Sequence, residues 1–374
     1  MILAKKVRLL PTPEQQHQLW KSVGTARWAY NWTLSRQREN YEKSGKFLFD
    51  GELRKELTVL KQTEEYFWLY EVSNNVVKQA VKDACDAFKR FFKKQASFPQ
   101  FKSKRKSKPA FYNDNVKLKI KDDLVLIEKV GWVETVESLP MNTNYTQPRV
   151  SFDGKYWYLS VGFEERLTKV ELTNVVLGID VGVKEFAVRS DGIKHENINK
   201  TKTVRKTKKR LGRLQRSVSR KYQNNKEGSR FVKTSNIIKQ EKQIRLLHRK
   251  LANIRNNQIH QVTNSIVKTK PLKVVIENLN VSGMMKNKHL SKAIAEQKLH
   301  DFKVKLFYKC EKYGIELVEA DRWYPSSKLC SRCGALKKNL KLSERTYNCS
   351  CGLRIDRDLN ASINLANYGL QLAI

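Results

Sequence analysis

Residues 175–183 read Val-Val-Leu-Gly-Ile-Asp-Val-Gly-Val, an apolar run that one carboxylate, Asp180, interrupts near its end. A short apolar run bounded by turn residues predicts a buried β-strand. Residues 185–190 and 193–198 follow as two further β-like segments. A carboxylate at the end of a buried strand loses several kcal/mol of hydration unless a cation or a hydrogen-bond donor compensates it. Asp180 is therefore the first candidate for a functional site.

Two further acidic residues have similar settings. Glu277 ends the apolar run of residues 274–276, and Asp358 lies at the start of the last segment with helical spacing. Three carboxylates from distant parts of one sheet can meet at its edge and hold two Mg²⁺ or Mn²⁺ ions, because hard cations prefer oxygen ligands. Paired ions of this kind catalyse phosphodiester hydrolysis. The pattern favours Asp180, Glu277 and Asp358 as catalytic metal ligands.

Each of these carboxylates also has a structural interpretation. Asp180 can be a turn residue before Gly182, Glu277 an ion-pair partner, and Asp358 a helix N-cap. Asp356 is a second candidate for the third ligand, although the spacing Asp-x-Asn-Ala favours Asp358. The residues by themselves leave these interpretations open.

Four of the six cysteines form a cluster: Cys330-x2-Cys333, then fifteen residues, then Cys349-x-Cys351. A glycine directly follows each pair and allows the tight turns that point sulfur atoms inward. Four thiolates in two facing turns suit a closed tetrahedral Zn²⁺ site, which is expected to be structural because no coordination position stays open. The second pair has one intervening residue where two are commoner. We expect this insertion, just before Asp358, to brace the catalytic edge or to guard entry to it.

The other two cysteines, Cys85 and Cys310, lie alone in helical patterns and are expected to be small core residues. No apolar run is long enough to span a membrane, and the N-terminal residues lack the apolar core of a signal peptide. We therefore expect a cytoplasmic, nucleoid-associated protein in which reduced thiols bind metal rather than form disulfides.

Charge is the strongest feature of the composition. Lysine and arginine number 74 against 37 aspartates and glutamates, which gives a formal net charge of +37. A compact chain with this imbalance repels itself and is expected to work with a polyanion bound, usually nucleic acid. A merely soluble basic surface and a membrane-surface role are less favoured, since no lipidation signal or basic amphipathic anchor stands out.

Two segments concentrate this charge. Residues 89–108 hold nine Lys or Arg and no acid, and residues 201–255 hold 19 Lys or Arg against two acids. The first segment also contains four phenylalanines, which can stack on bases or can equally anchor the segment in a core. So one-sided an excess favours a nucleic-acid groove over a solvated basic face. The candidate nucleic-acid contacts are Lys89, Arg90, Lys93, Lys102, Lys104, Arg105, Lys209, Arg210, Arg213, Arg216 and Arg220.

The first half of the chain predicts strands interrupted by helices. Residues 1–10 read as a strand, residues 11–95 as helices, and residues 110–165 as short strands. The last of these strands form a hairpin with Asp153-Gly154 as a two-residue turn. We expect a small β-barrel with a helical insertion.

The second half predicts a different architecture. Residues 201–268 read as two basic helices broken near residues 224–228, and residues 290–313 read as one helix. From residue 171 the order of elements is βββ-α-β-α-β-α. This order fits a mixed sheet covered by helices, as in RNase H-like folds.

Several short motifs occur together in this chain. They are Gly178-Ile179-Asp180-Val181-Gly182, Ile276-Glu277-Asn278-Leu279, Pro325-Ser326-Ser327-Lys328 before the first cysteine pair, Asp356-Arg357-Asp358-Leu359-Asn360-Ala361, and in the first half Ala87-Phe88-Lys89-Arg90-Phe91-Phe92, Phe98-Pro99-Gln100-Phe101-Lys102-Ser103-Lys104 and Lys155-Tyr156-Trp157-Tyr158. In combination they resemble the TnpB family of transposon-encoded, RNA-guided DNA nucleases, which is related to the compact type V CRISPR effectors. The likeness spans the whole chain.

The resemblance implies a multidomain α+β fold. Residues 1–10 and 96–170 would form a wedge β-barrel, and residues 11–95 a helical recognition insertion. Residues 171–324 and 354–374 would form a RuvC-like nuclease, and residues 325–353 its inserted zinc finger. Asp180, Glu277 and Asp358 match the catalytic positions of the family.

The resemblance also implies a function and partners. The chain would be an RNA-guided DNA endonuclease, bound as a monomer to one guide RNA from the transposon end. It would cut double-stranded DNA that carries a short adjacent motif. Pairing by the guide would explain why so much positive charge carries no obvious base-reading motif. The alternatives are an RNA-guided repressor without cleavage, a strand-transferring transposase and a zinc-ribbon DNA-binding regulator; the three acids favour cleavage.

Overall fold

The computed structural model describes residues 1–141, 143–165, 167, 170–341 and 343–372. The chain divides into two compact units, Met1–Glu165 and Arg166–Ile374. Both contain helices and sheets, which agrees with the expected multidomain α+β fold. The finer division into four parts stays a prediction.

The first unit combines an antiparallel sheet with helices. Its elements are β1 (Ile2–Leu10), α1 (Pro13–Ser44), α2 (Asp50–Leu60), a 3-10 helix (Glu64–Glu71), α3 (Asn74–Phe92), β2 (Ala110–Tyr112), β3 (Lys119–Lys121), β4 (Leu124–Ile127), β5 (Gly131–Thr135), β6 (Tyr145–Phe152) and β7 (Trp157–Glu164). The strands pair in the order β2-β6-β7-β1-β5-β4-β3. Within the described residues no pairing joins the end strands β2 and β3, so closure into a barrel stays a prediction.

Helix α1 begins at Pro13, within the stretch that the sequence predicts as helical. The Thr12 hydroxyl accepts a hydrogen bond from the Gln15 backbone N–H at 3.3 Å, and the Gln15 side chain accepts one from the Thr12 N–H at 3.0 Å. Pro13 occupies the first helical position, where no backbone donor is needed. The apolar face of α3, which includes Val77 and Val81, is buried in the core of this unit.

The β6–β7 hairpin corrects one prediction, because its connection has four residues, 153–156, instead of two. Phe152 and Trp157 are the last paired residues, and the Asp153 N–H donates to the Tyr156 carbonyl at 3.1 Å. The Asp153 carboxylate accepts hydrogen bonds from the last two backbone N–H groups of the turn, at 3.0 and 2.9 Å. This side-chain cap stabilises the wider turn, since it satisfies donors that the strands do not reach.

The second unit is built around a mixed sheet. Its elements are β8 (Thr173–Val181), β9 (Glu185–Arg189), β10 (Lys194–Glu196), α4 (Lys202–Asn224), β11 (Lys226–Glu227), β12 (Arg230–Phe231), α5 (Ser235–Lys268), β13 (Pro271–Glu277), α6 (Val281–Met284), α7 (Ser291–Gln297), α8 (Leu299–Tyr313), β14 (Glu316–Ala320), β15 (Thr346–Asn348), β16 (Arg354–Asp356) and α9 (Arg357–Gln371). The main sheet has the order β10-β9-β8-β13-β14, in which β8, β13 and β14 are parallel. The order of elements agrees with the prediction from the sequence.

One predicted helix is divided. Residues 290–313 form two helices, α7 and α8, because Lys298 adopts a left-handed backbone conformation with φ of 55°. The Lys298 ammonium donates to the Asn256 side chain at 2.8 Å and pairs with Asp301 at 2.6 Å. These contacts offset the cost of a left-handed conformation in a residue with a Cβ atom.

Helices cover both faces of the main sheet. Ile179 and Ile276 belong to an apolar cluster with α5 and α8, whereas Val275 packs in a separate cluster with α9. Gly178 of β8 also faces α9, since a Cβ atom at this position would lie 1.9 Å from the Ser362 carbonyl oxygen. Side chains therefore alternate along these strands between an α5/α8 face and an α9 face.

Candidate functional site

The alternation along β8 and β13 places the predicted carboxylates on one face. Asp180 and Glu277 each lie one position after an isoleucine of the α5/α8 face, so both point to the α9 face. The parallel register pairs Ile276 with Ile179, and the two acids therefore end neighbouring strands at the same edge. Asp358 lies in the first turn of α9, which covers this face. The fold thus brings residues from three distant parts of the chain to one location.

Electrostatics supports this proximity. The pKa of the Asp180 carboxyl is raised well above its ordinary value, chiefly by burial and then by the charges of Glu277 and Asp358. Arg357 acts in the opposite direction. Carboxylates that disfavour one another's ionisation need a shared proton or a cation. A divalent cation with oxygen ligands fits this set of donors.

The carboxylates are neighbours without forming a tight cluster. In the described parts of the chain, the four cysteines are the only group of three or more His, Cys, Asp or Glu residues whose ligand atoms all lie within 4.8 Å of one another. A two-ion site spreads its ligands around ions roughly 3.5–4 Å apart. A cleft of about 350 Å³ opens beside Glu277 and is lined in part by His300, Lys303 and Arg322. Lys303, which also pairs with Glu319 at 2.6 Å, and Arg322 bring positive charge to this cleft.

Asp356 and Asp358 have different roles in the structure. The Asp356 carboxylate is the N-cap of α9 and accepts hydrogen bonds from the Asp358 and Leu359 backbone N–H groups at 3.0 and 3.1 Å. It also pairs with Lys194 at 3.1 Å, and these contacts lower its pKa. The capping role considered for Asp358 therefore belongs to Asp356, and the Asp358 side chain is left to interact with Asp180.

Ser326 is a site residue that sequence reasoning missed. Its hydroxyl donates to Glu277 Oε1 at 2.6 Å, and the residue is 2% exposed. The only signal was its place in the motif Pro325-Ser326-Ser327, directly before the cysteine cluster. A contact across 49 sequence positions leaves no local pattern that reveals the partner.

The cysteine cluster has the geometry of a metal site. The sulfur atoms of Cys330 and Cys351 lie 3.6 Å apart, as do those of Cys333 and Cys349. A tetrahedral ion with bonds of about 2.3 Å to sulfur requires sulfur–sulfur separations of about 3.8 Å. A backbone hydrogen bond from Cys351 is the largest cause that lowers the pKa of the Cys349 thiol to about 6, whereas hydrogen bonds with the other three thiols raise the pKa of Cys333 to about 12, so the four thiols share protons where no cation binds them. The unusual Cys-x-Cys spacing is thus compatible with four converging thiols.

The two isolated cysteines are core residues, as expected. Cys85 and Cys310 are buried at 5% and 1% exposure. Burial raises the pKa of Cys310 to about 12, so its thiol stays protonated at neutral pH.

The predicted nucleic-acid contacts are mostly exposed. On α4 they lie opposite the buried residues Val204, Leu211 and Val218, which gives this helix one basic face. Lys102 differs from the others because it is partly buried, with its ammonium 3.6 Å from the centre of the Tyr30 ring. The exposed predicted residues are Lys89, Arg90, Lys93, Lys104, Arg105, Lys209, Arg210, Arg213, Arg216 and Arg220.

The phenylalanines of residues 89–108 anchor the segment in part, and their stacking on bases stays a prediction. Phe91 and Phe98 pack together with ring centres 5.2 Å apart, and the Arg38 guanidinium lies 4.7 Å from the centre of the Phe101 ring. Phe92 and Phe101 are nevertheless 53% and 50% exposed. The rings anchor the segment and still present apolar surface to solvent.

None of the helices in the described part of the chain is both long and apolar enough to cross a membrane.

Three family models match the chain. The model described as "Probable transposase" matches residues 158–288, and "Cas12f1-like, TNB domain" matches residues 300–365. A third, described as "Helix-turn-helix domain", matches residues 1–46, which here form one strand and one long helix.

Solved structures share the fold. The chain of a Cas12f1–sgRNA–target DNA complex matches with a TM-score of 0.58 at 13% identity, covering 98% of this chain and 99% of that one. The mini-RNA-guided endonuclease CRISPR-Cas_phi3 matches with a TM-score of 0.51 at 10% identity, covering 99% and 92%. The chain therefore shares its overall fold with these two chains.

Curated relatives define the family more narrowly. A protein of Streptomyces pristinaespiralis, named "Putative RNA-guided DNA endonuclease", is 32% identical over 98% of this chain and 89% of its own length. Another, of Escherichia coli, named "Putative RNA-guided DNA endonuclease InsQ", is 30% identical over 98% and 92%. The chain belongs to the TnpB family.

Proposed function

We propose that this protein is an RNA-guided DNA endonuclease of a transposon, with its cutting site at Asp180, Glu277 and Asp358. The observation that carries the proposal is the convergence of these carboxylates on one sheet face, where loss of hydration, and after it the charges of Glu277 and Asp358, raise the pKa of the Asp180 carboxyl. The names of relatives that match nearly the whole chain support it.

The three carboxylates would hold two Mg²⁺ or Mn²⁺ ions. Such ions supply an activated water and positive charge beside the leaving oxygen of a phosphodiester. Asp180 and Glu277 are fixed by their strands and Asp358 by α9, so little reorganisation is needed when a metal binds. Lys303 and Arg322 of the cleft would hold the phosphate backbone of the strand beside Glu277.

The same proposal extends to architecture and partners. Residues 171–324 and 354–374 would be the RuvC-like nuclease, and residues 325–353 a zinc finger with Zn²⁺ on the four cysteines. Residues 1–10 and 96–170 would form a wedge barrel around a recognition insertion at 11–95. The exposed basic residues would bind guide RNA and target DNA, with one protein on one RNA.

A cleavage assay tests the proposal. The purified chain, with the RNA that co-purifies with it, is given duplex DNA complementary to that RNA in the presence of Mg²⁺. Asp180→Ala is expected to abolish cutting while RNA and DNA binding stay nearly intact. Asp123→Ala is the matched control, since Asp123 is an exposed aspartate in the turn between β3 and β4 of the first unit and is expected to leave cutting unchanged.

The products separate the alternative functions. Full cutting by Asp180→Ala would remove the assignment of the carboxylates. Binding without cutting by the wild type would indicate a guided repressor, and joined DNA ends would indicate a strand-transferring transposase. Recovery of heterogeneous RNA fragments only would count against guidance.

A further inference from the structure

A short segment links the cysteine cluster to Glu277. We call residues 325–331 the strap. One end holds Ser326, whose hydroxyl donates to Glu277 Oε1 at 2.6 Å. The other end holds Cys330, whose backbone N–H donates to the Ala335 carbonyl at 3.0 Å within the first cysteine turn. The strap therefore joins Cys330 of the cluster to Ser326, which contacts Glu277.

Two asparagines of α9 hold the strap. Asn360 donates to the Leu329 carbonyl at 2.6 Å and accepts from the Ser331 N–H at 3.0 Å. Asn364, one helical turn later, donates to the Ser326 and Leu329 carbonyls at 2.7 and 2.8 Å. These hydrogen bonds tie both ends of the strap to α9.

Burial increases the cost in stability of losing these hydrogen bonds. Asn360 and Asn364 are 0% and 3% exposed. A buried carbonyl or amide that loses its partner is left without water to replace it, which costs more than the bond itself contributes. The strap is therefore held in one position along α9, because a shifted position would leave buried polar groups without hydrogen-bond partners.

The same helix carries Asp358 and packs on the strand of Asp180. The Asn360 amide lies two positions after Asp358, and Gly178 lets the α9 backbone approach β8 two positions before Asp180. The strap thus connects the cysteine turns to Glu277, whereas Asp180 is held by β8 and Asp358 by α9.

We propose that Asn360 and Asn364 are positioning residues that, through the strap and Ser326, couple metal binding at the cysteine cluster to the orientation of Glu277. This inference rests on the proposed function, in which Glu277 is a metal ligand. Partners that orient a metal ligand through a hydrogen bond typically change metal affinity by roughly one to two powers of ten when removed. Loss of the cysteine-bound metal is expected to weaken Mn²⁺ binding at the carboxylates by about tenfold.

The test measures metal affinity rather than cutting. The full chain is purified at high salt, which removes nucleic acid, and Mn²⁺ binding is titrated by electron paramagnetic resonance. The component lost in Asp180→Ala defines the carboxylate site. Ser326→Ala is expected to weaken that component by about tenfold, with zinc content as in the wild type and with the variant still folded at the titration temperature. Ser327→Ala, a partly exposed neighbour with no bond to Glu277, is the control and should bind as the wild type does.

A double-mutant cycle isolates the coupling. Cys333→Ser is expected to weaken Mn²⁺ binding in the wild-type background and to add little in the Ser326→Ala background, because the path is already interrupted. Binding linkage is reciprocal, so saturating Mn²⁺ should strengthen zinc retention against a chelator by the same factor. Asn364→Leu, which is close in size and has no donor for the Ser326 and Leu329 carbonyls, should reduce both effects in protein that remains folded.

The outcomes distinguish a failure of the coupling from a failure of the proposed function. If the wild type has the Asp180-dependent Mn²⁺ site but Ser326→Ala leaves its affinity unchanged, or the effects of Ser326→Ala and Cys333→Ser simply add, the coupling is overturned alone. If the wild type has no Asp180-dependent site, the proposed function falls and the coupling with it.

Discussion

Gly178→Ala tests the close approach of α9 to β8. The new Cβ atom would lie 1.9 Å from the Ser362 carbonyl oxygen and 2.5 Å from the Ala366 nitrogen, whereas real Cβ contacts stay beyond 3.0 Å. The helix backbone must therefore move by at least about 1.1 Å, because neither contact is a flexible side chain. We expect the free energy of unfolding of the second unit to fall by about 3 kcal/mol.

The same shift affects the candidate site. A displacement of about 1 Å between reacting groups can cost about a hundredfold in rate. Since α9 carries Asp358 and β8 carries Asp180, cutting should fall by that order even in protein that remains folded. A fall of about 3 kcal/mol corresponds to a melting temperature lower by roughly 6–12 °C for a unit of this size.

The assay combines thermal unfolding with DNA cutting at a temperature where the variant is folded. Gly212→Ala is the matched control, because its nearest contact would be the Arg216 side chain at 3.6 Å and alanine favours the helix α4. It should be neutral or slightly stabilising. A Gly178→Ala variant that melts and cuts like the wild type would refute the packing of α9 against β8.

Three further predictions concern charge and metal. Lys309 is 7% exposed, and burial lowers its pKa to about 8 from 10.5. Because the unfolded chain binds this proton more tightly, the free energy of unfolding measured by urea titration should rise by up to about 3 kcal/mol between pH 8 and 10.5. Lys309→Met should remove this rise, and the same dependence on pH in the variant and the wild type would contradict the prediction. Cys333→Ser should lose zinc by elemental analysis and lower the melting temperature of the second unit, while Ser350→Ala should do neither; retention of zinc by the cysteine variant would exclude four-thiolate ligation. Nucleic-acid affinity should fall steeply as the salt concentration rises. Serine at five basic positions of α4 should reduce the slope of the logarithm of affinity against the logarithm of salt concentration by roughly 0.7–0.9 per lost phosphate contact. An unchanged slope would count against contact between α4 and the nucleic acid. The five positions are Lys209, Arg210, Arg213, Arg216 and Arg220.

Strand-end acids could be predicted because burial leaves a pattern along the chain. The apolar runs before Asp180 and Glu277 show that these strands are covered on both faces, and alternation then places both carboxylates on the same side. The cysteine spacing was similarly informative, since four thiols within a short segment of a reduced protein are typical of a metal site. These features could be predicted because each leaves a pattern within a short stretch of sequence.

The remaining features depend on contacts that local sequence does not encode. The choice between Asp356 and Asp358 as the cap of α9 depends on where β16 ends, a difference of two residues that spacing does not resolve. The break at Lys298 is held by Asn256, 42 positions earlier in the chain. Ser326 gains its role only when the sheet edge brings Glu277 beside it.

The three carboxylates lie far apart along the chain, so the ribosome adds them at different times. At about 5–20 residues per second, a ribosome would need roughly ten to forty seconds to travel from Asp180 to Asp358. During that interval the cysteine cluster emerges before the helix that carries the last acid. A nascent chain can therefore begin to fold, with its basic helices already made, before all three proposed metal ligands are present.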